Sequence, residues 1–172
     1  MKYKLVYISV FWLVMDIFSI HAQQVVDNGE YKIPIYNFQE IQPKFNPNSK
    51  NDTVYIFNFW ATYCAPCIKE LPFFDRIGHE YSGKKVKVVL VSLDFRAQVE
   101  SRVIPFLKQK NIRSQVIVLS DPDANSWIDK VSPDWSGAIP ATLIVKGNHK
   151  EFFEKEFTYE EINSLTNKFL EK

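Results

Sequence analysis

Residues 53–60 read Thr-Val-Tyr-Ile-Phe-Asn-Phe-Trp, β-branched or aromatic almost throughout. A strand with one wet face alternates polar and apolar residues. A strand this evenly apolar needs cover on both faces, as in the middle of an α/β sheet. Just downstream, Ile68, Leu71, Phe74, Ile77 and Tyr81 recur every three or four residues, which predicts a helix over residues 65–81 stopped by Ser82-Gly83. The alternation continues: a second buried strand over 86–93, a helix opened by Pro105 and running to about 110, a third strand over 115–119, and a short helical stretch over 121–131. Strands at 141–146 and 151–157 flank Gly147-Asn148, a hairpin signal. Thr158 and Glu161 form a capping box for a last helix with the stripe Ile162, Leu165 and Phe169. Strand-helix alternation closed by a hairpin and a helix predicts an α/β fold with a central mixed sheet flanked by helices.

The chain's 172 residues, with 14 Phe and 46% apolar residues, suffice for one domain with a real core and exclude a disordered polymer. Lys and Arg total 21 against 20 Asp and Glu, with no basic run, so nucleic-acid binding has no electrostatic basis. Lys2 and Lys4 precede an apolar run over 5–15 broken only by Ser9, and Ala22 offers a small residue for cleavage. That pattern predicts a secretory signal over residues 1–22, or an uncleaved membrane anchor. The apolar stretch over 5–20 is shorter than the ~20 residues that span a bilayer. Residues 23–50, rich in Asn, Gln and Pro, read as an N-terminal extension with one short strand at 32–36; residues 51–172 read as the domain proper.

Both cysteines of the chain lie in Cys64-Ala65-Pro66-Cys67, directly after the first buried strand and at the opening of the first long helix. Residues three apart at a helix start have Cα atoms about 5–6 Å apart, a distance a disulfide can bridge. At the helix N-terminus, free backbone N–H groups and the macrodipole favour a thiolate, which lowers a Cys64 pKa below the free value of about 8.5. Cys67, inside the first turn, is suited to attack a mixed disulfide from within. Two plainer uses stand beside this one. A zinc site would need two more ligands, and His21, His79 and His149 have no paired spacing. A purely structural bridge would close only two intervening residues and constrain the unfolded chain little.

The segment Asn58-Phe59-Trp60-Ala61-Thr62-Tyr63-Cys64-Ala65-Pro66-Cys67-Ile68-Lys69-Glu70-Leu71-Pro72 resembles the active-site segment of the thioredoxin superfamily, nearest to its exported TlpA/ResA-like thiol-disulfide oxidoreductases. Gly137-Ala138-Ile139-Pro140-Ala141-Thr142 resembles the cis-proline loop of that family. The resemblance implies a thioredoxin-like fold with a strand-helix insertion, here over about 96–135, before the cis-proline loop. It implies catalysis by Cys64 and Cys67 through a reversible disulfide, with no cofactor and no metal. Pro140 would follow a cis bond and face the cysteines, and Ile139 would pair with substrate backbone. Trp60 would pack beside the active site and border the substrate. Pro72 matches a helix-kinking proline. Glu70 matches an acidic residue that the TlpA/ResA branch uses for proton handling. Cytosolic thioredoxins keep a buried aspartate at the position of Asn58, and an amide cannot relay a proton, which shifts that task to Glu70 or water.

The expected function is reduction of disulfides in partner proteins, such as those of cytochrome c biogenesis, in the periplasm or cell envelope, with a membrane or exported electron donor. Two other functions compete. A peroxidase on the same fold would carry Pro-x-x-x-Thr/Ser-x-x-Cys, and no such motif occurs. A peptide-binding module would use the groove around Pro140, with the cysteines acting only as a redox gate.

Overall fold

The computed structural model describes residues 24–47 and 50–172. The expected signal or anchor over residues 1–22 lies outside the described residues. The strands are β1 (Gln24–Asp27), β2 (Lys32–Tyr36), β3 (Val54–Trp60), β4 (Val86–Ser92), β5 (Gln115–Leu119), β6 (Ala141–Lys146) and β7 (His149–Phe153). They form one sheet in the order β1-β2-β5-β4-β3-β6-β7. The pairs β2–β5, β5–β4 and β4–β3 are parallel; β1–β2, β3–β6 and β6–β7 are antiparallel. The expected mixed sheet is present, and β5, from the anticipated insertion, lies between β2 and β4.

The helices are α1 (Phe38–Ile41), α2 (Ala65–Glu80), α3 (Ile104–Lys110), α4 (Ile128–Val131) and α5 (Tyr159–Glu171). Alternate residues of β3 explain the two layers. Val54, Ile56 and Trp60 join a cluster with Leu71, Phe74 and Ile77 of α2 and with Ile162 and Phe169 of α5. Phe57 and Phe59 face the other way, into a cluster with Phe38 and Ile41 of α1 and Val131 of α4. Asn58 is the one polar residue of β3, and it falls on the α2 side.

Several boundaries differ from the sequence reading. Within residues 23–50, strand β1 was not anticipated, and it pairs with β2, which pairs with β5. That segment is therefore built into the sheet and is not set apart from it. The stretch 121–131 divides into a single 3-10 turn, Ala124–Ser126, and α4. A turn of π-helix, Val99–Val103, leads into α3. The last strand spans His149–Phe153 and not 151–157: the two-residue turn restarts pairing at once, Lys146 opposite His149. Beyond it the chain leaves the sheet, and the Phe157 N–H donates to Glu70 at 2.6 Å.

Helix α2 is fixed against the sheet by more than apolar packing. Asp75 accepts hydrogen bonds from the backbone N–H groups of Arg113 (2.8 Å) and Ser114 (2.7 Å), at the entrance to β5. Removing that carboxylate leaves two backbone donors unpaired, at about 1–3 kcal/mol for each group that stays dry. Urea unfolding of Asp75→Ala should therefore show a stability loss of about 2 kcal/mol or more. A midpoint unchanged from wild type would show that water replaces the carboxylate freely.

Candidate active site

The reactive segment begins where β3 ends. One residue past Ala61, the Thr62 N–H donates to Asp94 Oδ2 at 3.0 Å and the Thr62 hydroxyl donates to Oδ1. The Ser92 hydroxyl donates to the same carboxylate at 2.8 Å, and Asp94 is only 1% exposed. Asp94 thus clamps the loop after β3 to the end of β4. The next residue, Tyr63, and the residue after Asp94, Phe95, are 65% and 73% exposed.

Cys64 is the N-cap of α2, and its Sγ accepts from the Cys67 N–H at 3.3 Å. Its backbone N–H turns back to the Ala61 carbonyl at 3.1 Å. Pro66 lies in the first turn, where its missing N–H had no helical partner to lose. Cys64 and Cys67 form a disulfide with Cα atoms 5.3 Å apart. Cys67 is fully buried and Cys64 is 8% exposed. Of the two, Cys67 is the more deeply covered.

The Ile139–Pro140 peptide is cis. The β3–β6 register pairs Phe59 with Ala141, which sets Pro140 at the C-terminal end of β3, the end from which the cysteine loop departs. The Ile139 carbonyl oxygen lies 3.7 Å from Cys64 Sγ. In the disulfide this is a contact; a reduced Cys64 thiol could donate to it. Local bonds shape the loop. Trp135 Nε1–H donates to the Ala138 carbonyl at 2.8 Å, and Glu154 Oε2 accepts from the Ser136 N–H at 2.7 Å. Gly137 has φ +93°, a backbone conformation that favours glycine, and a Cβ there would press Ile128 Cδ1 at 3.1 Å.

Glu70 lies one helical turn after Cys67 on the same side of α2, and it is fully buried. Its Oε1 accepts from Asn58 Nδ2 at 2.7 Å and its Oε2 from the Phe157 N–H at 2.6 Å. Burial pushes its pKa up from 4.5 to about 7, while the two donated hydrogen bonds, from Phe157 and Asn58, hold it from rising further. Its burial excludes a solvated helix glutamate. Trp60 is also fully buried, in the cluster that holds both cysteines, and its ring centroid lies 5.3 Å from that of Phe106. The indole thus belongs to the core behind the cysteines and presents no surface to a substrate, contrary to the expectation that it borders one. Among the described residues no group of three or more His, Cys, Asp or Glu side chains is arranged to hold a metal.

Asp94, Thr62, Thr142 and the Phe157 N–H were not foreseen. Asp94 follows a strand and precedes an exposed Phe, as many loop aspartates do. Only the parallel β3–β4 pairing, with Trp60 opposite Ser92, reveals its partner. Thr142 is opposite Asn58 in the β3–β6 register, a pairing local sequence does not encode.

A thioredoxin-like sheet, a vicinal-helix disulfide and a cis-proline loop at one strand end define a dithiol-disulfide protein of the thioredoxin superfamily. The family model described as AhpC/TSA family matches residues 36–150, and the chain belongs to that family. It is 30% identical over 87 residues to thiol-disulfide oxidoreductase ResA of Oceanobacillus iheyensis, a match covering 45% of each chain. The chain thus spans less than half the length of that relative. Among solved structures it is similar to the thioredoxin domain of a thiol-disulfide oxidoreductase from Bacteroides vulgatus (TM-score 0.59, 16% identity, covering 87% of this chain and 94% of that one). It is also similar to StoA of Bacillus subtilis (TM-score 0.53, 21% identity, covering 68% and 84%).

Two outcomes follow. Because the native state holds the Glu70 proton more tightly than the unfolded chain, protonation favours folding. That stabilisation is complete below pH 4.5 and lost as the pH rises through about 7. Oxidised wild type should therefore lose stability across that window relative to Glu70→Gln, by about 3 kcal/mol at most. Parallel pH profiles for the two proteins would contradict the raised pKa. Asp94→Ala should lower stability by about 2 kcal/mol in urea unfolding, since the buried Ser92 hydroxyl and two half-buried Thr62 donors lose their acceptor. It should also speed proteolysis near Thr62, detectable by mass spectrometry.

Proposed function

We propose that this protein is a thiol-disulfide oxidoreductase that acts outside the cytoplasm and reduces disulfides of partner proteins. One observation carries the reading: a disulfide-forming pair at the start of α2, Cys67 fully buried and Cys64 8% exposed, with Cys64 Sγ 3.7 Å from the cis-proline loop carbonyl. The relatives named above support thiol-disulfide chemistry, and the basic-then-apolar start of the chain supports export. The AhpC/TSA name also covers a peroxidase reading, but Phe57 and Ala61 stand where that motif would place its proline and its hydroxyl residue relative to Cys64. The dithiol reading needs neither.

In the reductive direction the Cys64 thiolate attacks one sulfur of the partner disulfide. The partner's other sulfur departs as a thiolate and takes up a proton, leaving a mixed disulfide on Cys64. Cys67 gives its proton to the Glu70 carboxylate and attacks Cys64 Sγ, expelling the second partner thiol. Two electrons pass to the partner, and the protein is left with the Cys64–Cys67 disulfide. A membrane or exported dithiol donor restores the reduced form. A carboxyl that titrates near neutrality is matched to taking and returning that proton. The half-buried Ile139 side of the loop would receive partner backbone, with Pro140 holding it opposite Cys64. Partners of the cytochrome c maturation type fit this scheme.

Trapping tests it. Cys67→Ser should accumulate a mixed disulfide between Cys64 and an envelope protein, identified by mass spectrometry, while Cys64→Ser should trap nothing. Both variants should lose turnover against a disulfide substrate. Wild-type rates from both would remove the cysteines from the chemistry and leave the peptide-binding reading.

A further inference from the structure

Beneath the cysteine pair, on the otherwise apolar α2 side of the sheet, four polar groups meet: the Asn58 amide, the Glu70 carboxyl, the Thr142 hydroxyl and the Phe157 N–H. All three side chains are fully buried. Asn58 Nδ2 donates to Glu70 Oε1 at 2.7 Å and to Thr142 Oγ1 at 3.2 Å. Phe157 N–H donates to Glu70 Oε2 at 2.6 Å. Both carboxyl oxygens accept, so this arrangement suits the ionised carboxylate. Yet Asn58 Oδ1 has no hydrogen-bond partner in the same dry pocket. Buried acceptors are rarely left unpaired, and each costs about 1–3 kcal/mol when they are.

A half-turn of the amide about its terminal torsion exchanges Oδ1 and Nδ2. Oδ1 then faces the two groups that Nδ2 now serves. A protonated Glu70 can donate to it, and so can the Thr142 hydroxyl, whose oxygen at present only accepts. Each arrangement leaves one end of the amide unpaired, so hydrogen bonding within the pocket does not fix the choice by itself. The proton on Glu70 does. We propose that Asn58 is a positioning residue for Glu70, its amide donating to the carboxylate through Nδ2 and accepting from the carboxylic acid through Oδ1. One side chain then holds Glu70 in place in both protonation states. An aspartate at this position could not do so, since two carboxylates at 2.7 Å cannot both ionise. Nor could an apolar residue, which offers neither donor nor acceptor.

The other groups that bear on Glu70 are few. Cys67 precedes it by one turn on α2, and from the segment before α5 come Glu156, which raises its pKa, and Lys155, which lowers it. Glu156 is paired with Lys69 at 2.5 Å. Strands β3 and β6 face it with Asn58 and Thr142, neither of which titrates. Through Thr142 the amide also reaches the strand that begins immediately after the cis-proline.

The consequence for catalysis rests on the reading of Glu70 as proton carrier, but the pairing can be measured without turnover. In the full chain, NMR titration from pH 5 to 9 should show the Asn58 side-chain amide resonances moving with the same midpoint as the Glu70 carboxyl carbon. Amide resonances that stay still while Glu70 titrates would overturn the proposal. In Asn58→Leu the carboxyl loses its amide partner in both protonation states, so the Glu70 carboxyl-carbon shift should differ from wild type at both ends of the titration; end-point shifts equal to those of wild type would also overturn it. If that variant does not fold, the wild-type titration stands alone as the test. The pH profile of Cys67 alkylation in reduced Glu70→Gln separates the two ideas. Shared midpoints in the wild type, displaced Glu70 end-point shifts in Asn58→Leu and an unmoved Cys67 profile in Glu70→Gln would uphold the pairing and sink the proton-carrier role.

Discussion

The antiparallel seam between β3 and β6 sets where every reactive group stands. Phe59 opposite Ala141 fixes Pro140 at the strand end from which the cysteine loop leaves, and Asn58 opposite Thr142 fixes the polar pocket one step deeper. A slip of one residue would turn every side chain of β6 to the other face, and both layers of core resist it. On one side Val54, Ile56 and Trp60 are locked under α2 and α5; on the other Phe57 and Phe59 are locked among rings that include Phe45 and Trp135. The site's geometry is therefore maintained by burial on both faces of a single strand.

Upon that frame the chemistry is divided by exposure. Cys64, at the helix cap, meets solvent and the Ile139 carbonyl; Cys67 meets neither. Glu70 lies deeper, where burial makes its charge costly and two donated hydrogen bonds make it tolerable. The result is a buried carboxyl whose pKa is raised to about 7, one helical turn after Cys67; under the proposed function it takes the proton that the Cys67 thiol gives up. Asp94 does a different task, holding Thr62 and so the approach to Cys64, while Tyr63 and Phe95 stand exposed on either side of that clamp.

Much of this was readable from the chain itself. The dense apolar run of β3, the three-four periodicity of α2 and the Thr158–Glu161 capping box each encode their own local structure, and all three elements are present. The cysteine spacing carried its own geometry, because three residues at a helix start set the Cα separation. What the sequence withheld depends on pairing between distant segments. Strand β1 has no strong apolar pattern and exists through its ladder with β2. The partner of Asp94 follows from the β3–β4 alignment, and that of Glu70 from a backbone N–H 87 residues away. Trp60, adjacent to the motif in sequence, was expected to border the substrate; its place in β3 buries it in the core.

The division of labour between the two sulfurs is the claim on which the functional account stands, and alkylation of the reduced protein measures it directly. Brief iodoacetamide treatment followed by peptide mapping should label Cys64 and spare Cys67, with a pH midpoint for Cys64 below the free-thiol value of about 8.5. Equal labelling of both cysteines, preferential labelling of Cys67, or a Cys64 midpoint at or above that value would contradict the account.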